Sequence, residues 1–413
     1  MQIRGRTEHP APCLLCGIPY TEYCILVSMF SLKRTSGKVV LVADVEDVSV
    51  GVSVALLSKT QATILASERM RLPLEERTQD QSASAVVQLL EECADKVLKA
   101  YAGGDATHAP KQPQTIYAII RSPWTRLRTA HAEEVFPKEV AVSKDLIATL
   151  AKKALTEPSD FNKSSILETG VMQVYLNGYP TGNPLGKRVV RAGVVAYESE
   201  VHPEILRGVK ERLGKVAPGR NIIVRSGLTA LSTLLREHMP DIHRYVVLDV
   251  GGSTTTCSVF LRETVSQNAG VPEGLTTIIK RISSAGMPEE TLTQLRMLST
   301  DTCSTDACKA LKDSLARLEP DLAKVFGESF ATLAAKRRLP NNAILAAPVE
   351  LSPWLQGFFS RLDFSQFTAT MQPLVVETLT PEHLTDVVTW KSGIADTGIG
   401  VAAGYVNILE QTA

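Results

Sequence analysis

Two stretches of the chain repeat one pattern of apolar and polar positions. Residues 39–56 read VVLVADVEDVSVGVSVAL, and residues 245–260 read YVVLDVGGSTTTCSVF. In each, an apolar run ends at an aspartate, Asp44 or Asp249, and a turn then leads into a second strand with a Ser or Thr near its start. Short apolar runs bounded by turn residues are typical of buried strands. The repetition predicts a duplicated fold, and two unrelated hairpins in an α/β protein are the alternative.

The remaining periodicity predicts alternating helices and strands. In residues 82–102, Val86, Leu90 and Val97 lie on one apolar stripe, which is typical of an amphipathic helix. Further helices are predicted at residues 143–155 (with Ser143 as N-cap), 203–213, 229–238, 288–317, 319–338, 353–362 and 397–409. Strands are predicted at residues 61–71, 116–122, 166–176, 188–199, 221–225 and 343–348. This alternation indicates an α/β fold.

Composition excludes several classes of function. The 413 residues are 44% hydrophobic and 21% charged, as in globular proteins of two or three domains. Lys+Arg 44 balances Asp+Glu 44, so bulk charge gives no reason to expect a nucleic-acid partner. An odd count of seven cysteines favours reduced thiols and a cytoplasmic location. Cys13 and Cys16 form a CxxC, but no second pair follows to complete a zinc site.

The N-terminal segment differs from the rest of the chain. Residues 1–28 mix prolines, cysteines and charges without a helical or strand period. Residues from Met29 onward form a short basic lead into the first strand. We therefore expect residues 1–37 to be a disordered leader and Met29 to be the translation start, which intact-mass measurement of the native protein would check.

The second turn carries the residues best suited to an anion. Two glycines allow a tight bend, and successive backbone N–H groups in such a turn form an anion-binding nest. The candidate phosphate-binding residues are Gly251, Gly252, Ser253, Thr254 and Thr255. Asp249, and by analogy Asp44, would position Mg²⁺ or an attacking water. A tight β-turn followed by strand-forming threonines, and for Asp44 a simple hairpin-turn carboxylate, are the structural alternatives.

The order of these features resembles the actin-like ATPase superfamily, in particular the bacterial FtsA/PilM type. The resemblance spans residues 39–409. It is carried by the hairpin at Asp44, the turn DVGGSTTTCSV (similar to D-I-G-G-G-T-T-D), the loop YLNGYPTGNPLG, the helix segment GLTALSTLL and the glycine-rich C-terminal helix. It implies duplicated actin-like (ribonuclease H-like) halves flanking a nucleotide cleft, with an inserted α+β SHS2-type module. It also implies ATP and Mg²⁺ as ligands, self-association, and binding to division or pilus machinery.

The resemblance also implies domain boundaries. The first half comprises residues 38–114 and 203–243, interrupted by the SHS2-type module at residues 115–202. The second half comprises residues 244–413, with a helical subdomain at about residues 277–340.

Three corners of the expected nucleotide site depart from the family pattern. Glu46 and Asp47 replace the Gly and Ser/Thr of the first phosphate turn, so two carboxylates would face a triphosphate. Ala346 and Ala347, followed by a proline, replace the glycine pair of the adenosine turn. Lys309 and Lys312 are the nearest candidates for the lysine that borders adenine in the family. These departures predict weak or lost ATP binding.

We therefore expect an FtsA/PilM-like scaffold with a degenerate nucleotide site. The alternatives are an active Mg-dependent ATPase of the same family and, less favoured, a sugar-kinase-like phosphotransferase, for which no catalytic motif is found. The last residues, Leu409 to Ala413, lack the basic amphipathic pattern of a membrane-binding helix. We expect a cytoplasmic protein that partners recruit to the inner face of the membrane, with no direct anchor.

Overall fold

The computed structural model describes residues 37–103, 112–238, 244–261, 264–283, 287–303, 306–335 and 337–412. The predicted disordered leader and the CxxC motif lie outside these residues, apart from Gly37 at the leader's end. None of the helices within these ranges is long and apolar enough to cross a membrane.

The first sheet has six strands in the order β15-β3-β2-β1-β4-β9. Strand β1 pairs antiparallel with β2 and parallel with β4, and β4 pairs parallel with β9. Its strands are β1 (Lys38–Val45), β2 (Ser49–Leu57), β3 (Ala62–Arg71), β4 (Thr115–Ile120), β9 (Asn221–Ser226) and β15 (Val388–Trp390). Almost every residue of β1 and β2 is buried, as expected for central strands covered on both faces.

The second sheet has five strands in the order β12-β11-β10-β13-β14. Its strands are β10 (Arg244–Val250), β11 (Thr255–Leu261), β12 (Thr264–Val271), β13 (Asn342–Ala346) and β14 (Val375–Thr378). Strand β10 pairs antiparallel with β11 and parallel with β13, and β13 pairs parallel with β14. This repeats the pairing of β1 with β2 and β4, and of β4 with β9. The predicted duplication is confirmed at the level of sheet topology.

A third sheet of four strands, in the order β5-β8-β6-β7, shares no strand pairing with the other two and packs against one helix. Its elements are β5 (Thr125–Ala141), α2 (Lys144–Leu155), β6 (Ile166–Leu176), β7 (Tyr179–Thr181) and β8 (Arg188–Val201). The side chain of Ser143 caps α2 by accepting a hydrogen bond from the amide of Leu146. We call these elements the inserted module.

Helices cover the sheets, and the chain's last elements return to the first one. The helices are α1 (Gln79–Gly103), α3 (Pro203–Val216), α4 (Gly227–His238), α5 (Leu275–Ile282), α6 (Pro288–Ser299), α7 (Asp306–Ala334), α8 (Ser352–Arg361) and α9 (Thr397–Thr412). The sequence groups residues 388–412 with the second half, but β15 pairs with β3 and α9 packs on β1 and β2. Lys38 Nζ and Glu410 Oε1, 2.7 Å apart, form an ion pair at this junction. Below, the first half is the six-stranded sheet with α1, α3, α4 and α9, and the second half is the five-stranded sheet with α5 to α8.

Two local expectations are wrong. The sequence predicts no helix or strand between residues 122 and 143, but strand β5 occupies most of this stretch; its outer end is partly exposed, and its pairing with β8 shifts register near Pro137. The predicted break between the helices at residues 288–317 and 319–338 is absent, and α7 continues through residue 318 and through Pro320. A continuous apolar stripe of α7, from Leu311 to Leu333, packs into the core of the second half and holds the helix together across the proline.

The cysteines also differ from expectation. The structure joins Cys303 and Cys308 in a disulfide, with Cα atoms 5.8 Å apart. The expectation of reduced thiols is therefore wrong for this pair. Cys93 and Cys257 are free and buried.

Candidate functional site

The two repeated aspartates occupy matching positions in their sheets. Asp44 is the second-to-last residue of β1 and lies opposite Gly51 of β2, while Asp249 is the second-to-last residue of β10 and lies opposite Thr256 of β11. Both aspartates therefore lie at the carboxyl ends of β1 and β10. These strands run parallel to β4 and β13, and α/β sheets usually bind ligands at the carboxyl ends of their parallel strands.

One arginine connects the two aspartates. Arg121 follows the last residue of β4, and its guanidinium group forms ion pairs with Glu46 of the first half and Asp249 of the second. Its Nη1 atom also lies 3.8 Å from Oδ2 of Asp44. The structure thus brings Asp44 and Asp249 to opposite sides of the same guanidinium group.

A second arginine contacts the same oxygen of Asp44. Arg69 of β3 donates from Nη2 to Oδ2 of Asp44 at 2.6 Å and from Nε to Asp396 at 2.7 Å. Gly398 makes room for this contact, since a Cβ atom there would collide with the Asp44 carboxylate and lie 2.7 Å from Nη2 of Arg69. The result is a buried cluster of four carboxylates and two guanidinium groups.

Burial and charge move the acids of this cluster in different directions. Burial raises the pKa of Asp44 to about 6, against the opposing attraction of Arg121 and Arg69. Burial also raises the pKa of Asp249, and Arg121 opposes the rise. For Glu46 burial is again the largest single effect, but Arg121 and Arg69 together overcome it and hold its pKa below the ordinary value. Glu46 is therefore the firmly ionised partner of Arg121.

The glycine turn of the second half is already filled by a side chain of the first half. The Asp47 carboxylate accepts hydrogen bonds from the backbone amides of Gly252 at 2.9 Å and Ser253 at 2.8 Å. The Ser253 hydroxyl donates to the same carboxylate. The two amides predicted to bind phosphate therefore bind a carboxylate of the same chain, and burial raises the pKa of that carboxyl.

The other predicted phosphate ligands have internal partners as well. The amide of Gly251 donates to the Thr254 carbonyl at 2.8 Å. The Thr255 hydroxyl donates to the Glu273 carbonyl at 2.7 Å, and the Thr254 hydroxyl lies 3.4 Å from that of Ser122. These threonines stabilise the turn, which agrees with the structural alternative for them.

A cavity of about 620 Å³ remains beside the cluster. It is bounded by α4, the loop after β13 and the start of α9, and Ala346 and Ala347 line it. Lys309 does not: it is exposed near the start of α7 and is not among the lining residues. The structure thus places the predicted adenosine turn at the cavity and does not bring Lys309 there.

The cluster does not fit a magnesium ion with a triphosphate. Mg²⁺ requires free oxygen ligands, usually carboxylates together with phosphates and water. Asp44, Glu46 and Asp249 are instead shared with guanidinium groups, which would lie next to the cation. Within the described ranges, no group of three or more His, Cys, Asp or Glu side chains is arranged to hold a metal.

Sequence reasoning did not identify Arg69, Arg121 or Asp396. The signal for Arg121 was present, because it directly follows β4, the parallel neighbour of β1, and so lies at the same sheet edge as Asp44. Asp396 lies in the loop before α9, far along the chain from β3, and no local pattern connects it to Arg69.

The duplicated sheets, the cleft between the halves and the paired aspartates define an actin-like α/β fold. No protein-family model matches this sequence, and a search of curated proteins finds no match. Among solved structures, the chain is similar to PilM in a PilM–PilN type IV pilus biogenesis complex, with a TM-score of 0.51, 15% identity, and coverage of 92% of this chain and 100% of that one. At this identity the similarity shows the fold alone.

Two further solved structures are similar at lower TM-scores. The ethanolamine utilization protein EutJ from Carboxydothermus hydrogenoformans has a TM-score of 0.39 and 10% identity, over 93% of this chain and 94% of that one. A non-polymerising MamK mutant bound to AMPPNP has a TM-score of 0.37 and 10% identity, over 91% of this chain and 100% of that one.

Proposed function

We propose that this chain is an FtsA/PilM-like scaffold that has lost ATP chemistry and acts by binding itself and proteins of a division or pilus machine. The observation that carries the proposal is the position of Arg121. Its guanidinium group joins Glu46 of one half to Asp249 of the other, at the point where the fold would hold Mg²⁺ and phosphate.

Electrostatics argue against a triphosphate at this point. The buried cluster holds four carboxylates against two guanidinium groups, and Asp47 adds a fifth carboxylate next to it. Each like-charge contact at ~4 Å costs from about 1 kcal/mol in water to about 4 kcal/mol near a protein surface. A nucleotide would also have to break ion pairs that are already buried.

The similarity to PilM makes a pilus-assembly protein the first partner to test. The solved PilM structure is a complex with PilN, so a chain of this fold binds a machinery protein there. In our proposal this chain does the same at the inner face of the membrane, where its partners recruit it from the cytoplasm.

Calorimetric titration with Mg-ATP tests the lost chemistry. We expect no saturable binding up to about 1 mM nucleotide, a limit corresponding to about −4 kcal/mol. A micromolar Kd would overturn the proposal in favour of an active Mg-ATPase. Turnover of a sugar would support the phosphotransferase alternative.

Sedimentation velocity tests self-association through the inserted module, which carries exposed apolar side chains. Val135 of β5 is 70% exposed and Tyr179 of β7 is 76% exposed. We expect association without nucleotide, and we expect Val135→Glu with Tyr179→Glu to weaken it. Val375→Glu is the matched control, because Val375 is 66% exposed on the edge strand of the second sheet. Equal loss in the control, or a wild-type monomer at every concentration, would contradict this role of the module.

A further inference from the structure

The contact between Asp47 and the glycine turn has the chemistry of an oxyanion bound in a nest. Both carboxylate oxygens accept hydrogen bonds, from two successive backbone amides and one hydroxyl. Successive amides of a tight turn carry partial positive charge and bind phosphates and carboxylates in the same way. Asp47 is 4% exposed, so the carboxylate is taken almost completely from water.

The local packing is shaped around this contact. A Cβ atom on Gly252 would lie 2.6 Å from Oδ1 of Asp47 and would also collide with the Val48 side chain. The first turn is also bonded to the residue after β3, because the Val48 carbonyl accepts a hydrogen bond from the Leu72 amide at 2.8 Å. The two turns therefore pack directly against each other, and the absence of a side chain at Gly252 leaves room for the Asp47 carboxylate.

We propose that Asp47 is an internal ligand whose carboxylate occupies the oxyanion nest of the second turn, so that the two halves stay closed on each other without any nucleotide. The proposal goes beyond the scaffold role and does not depend on it. It identifies a latent site for an oxyanion such as inorganic phosphate, which becomes accessible only when the carboxylate is removed.

A second connection between the halves does not involve the Asp47 carboxylate. The segment after β3 crosses to the second half, where Leu74 is buried in its core and its amide donates to Oε1 of Glu289 at 2.8 Å. Beside it, Arg71 lies 3.2 Å from Glu350, which also pairs with Arg296. Removal of Asp47 should therefore expose the nest without separating the halves completely.

Hydrogen exchange of the unmodified protein tests whether the contact exists in solution. We expect the amides of Gly252 and Ser253 to exchange about tenfold or more slowly than solvent-exposed loop amides, because each donates to a buried acceptor. Exchange at the rate of an open loop would overturn the proposal, whatever the calorimetry with Mg-ATP shows. This measurement needs no variant to fold.

Two variants test the ligand exchange. Asp47→Ala empties the nest, and Asp47→Asn keeps the shape of the side chain while removing its charge. We expect both to speed exchange at Gly252 and Ser253, and we expect inorganic phosphate at constant ionic strength to raise the melting temperature of Asp47→Ala but not of the wild type.

The control is Asp95→Ala, which removes an exposed carboxylate from α1. It should change neither the exchange at the second turn nor the response to phosphate. A wild type that is stabilised by phosphate as much as Asp47→Ala, or an Asp47→Ala protein with unchanged exchange, would show that the carboxylate does not occupy the nest.

Discussion

The two turns at the ends of β1 and β10 occupy matching positions but make opposite contributions to one contact: one donates hydrogen bonds and the other accepts them. The second, at Gly251 and Gly252, keeps the glycines and the outward amides of an anion nest. The first, at Glu46 and Asp47, lacks those features and supplies the anion instead. A duplicated fold can thus convert one copy of a ligand-binding turn into the ligand of the other. Side chains of both halves meet in the cleft, and any ligand entering between the two turns would have to displace them.

The strongest way to break this arrangement is to remove the shared arginine. Arg121→Ala leaves the buried carboxylates of Glu46 and Asp249 without their main partner, and such losses cost about 3–5 kcal/mol. We expect the free energy of unfolding, measured with urea, to fall by this amount. Arg126→Ala is the control: Arg126 is 54% exposed, and its ion pairs contribute at most about 1 kcal/mol. Equal losses would show that the Arg121 pairs are not structurally special.

The pH dependence of stability tests the raised pKa of Asp44. Its pKa rises from 3.8 in the unfolded chain to about 6 in the folded protein, so the folded state holds a proton that the unfolded state has already lost in this window. Stability from this group is therefore lost as pH rises from about 4 to about 6 and is constant above.

Asp44→Asn removes that dependence, because the amide does not titrate. We expect the variant's unfolding free energy, relative to wild type, to increase by up to about 3 kcal/mol between pH 4 and pH 7. Urea titrations at several pH values would measure it. A difference that stays flat, or that changes in the opposite direction, would contradict the direction of the shift.

A smaller effect tests the fit between the turns. Gly252→Ala places a methyl group against Val48 and Asp47, and overpacking of this kind costs about 1–3 kcal/mol. Gly270→Ala on β12 is the matched control, since a Cβ atom there meets nothing within 4 Å. Thermal melting of both variants should show a loss for Gly252→Ala only, and equal behaviour would mean that the turns are not in close contact.

Much of the fold could be predicted from the sequence because its signals are local. Apolar runs ending at Asp44 and Asp249 mark the two hairpins, and the stripe of Val86, Leu90 and Val97 marks α1. Strand β5 escaped prediction because its outer half is exposed and polar, so that its pairing with β8, and not burial, holds it extended.

The site was less predictable because its partners are distant in the chain. Glu46 and Asp47 stood out as departures from the family pattern, and their charges led to an expectation of weakened nucleotide binding. The pairing of Glu46 with Arg121 depends on the pairing of β1 with β4, and the contact of Asp47 with the glycine turn depends on how the two halves dock. No periodicity in one segment contains that information.

The return of the final helix to the first sheet has a consequence for synthesis on the ribosome. Strand β15 and helix α9 complete the first half. The Glu410 side chain of α9 contacts Lys38 of β1 and the Tyr117 hydroxyl of β4. The N-terminal half is thus made first but completed last, after the later half has emerged with all five strands of its own sheet. In a nascent chain of this protein the first sheet stays unfinished until β15 and α9 have emerged from the ribosome.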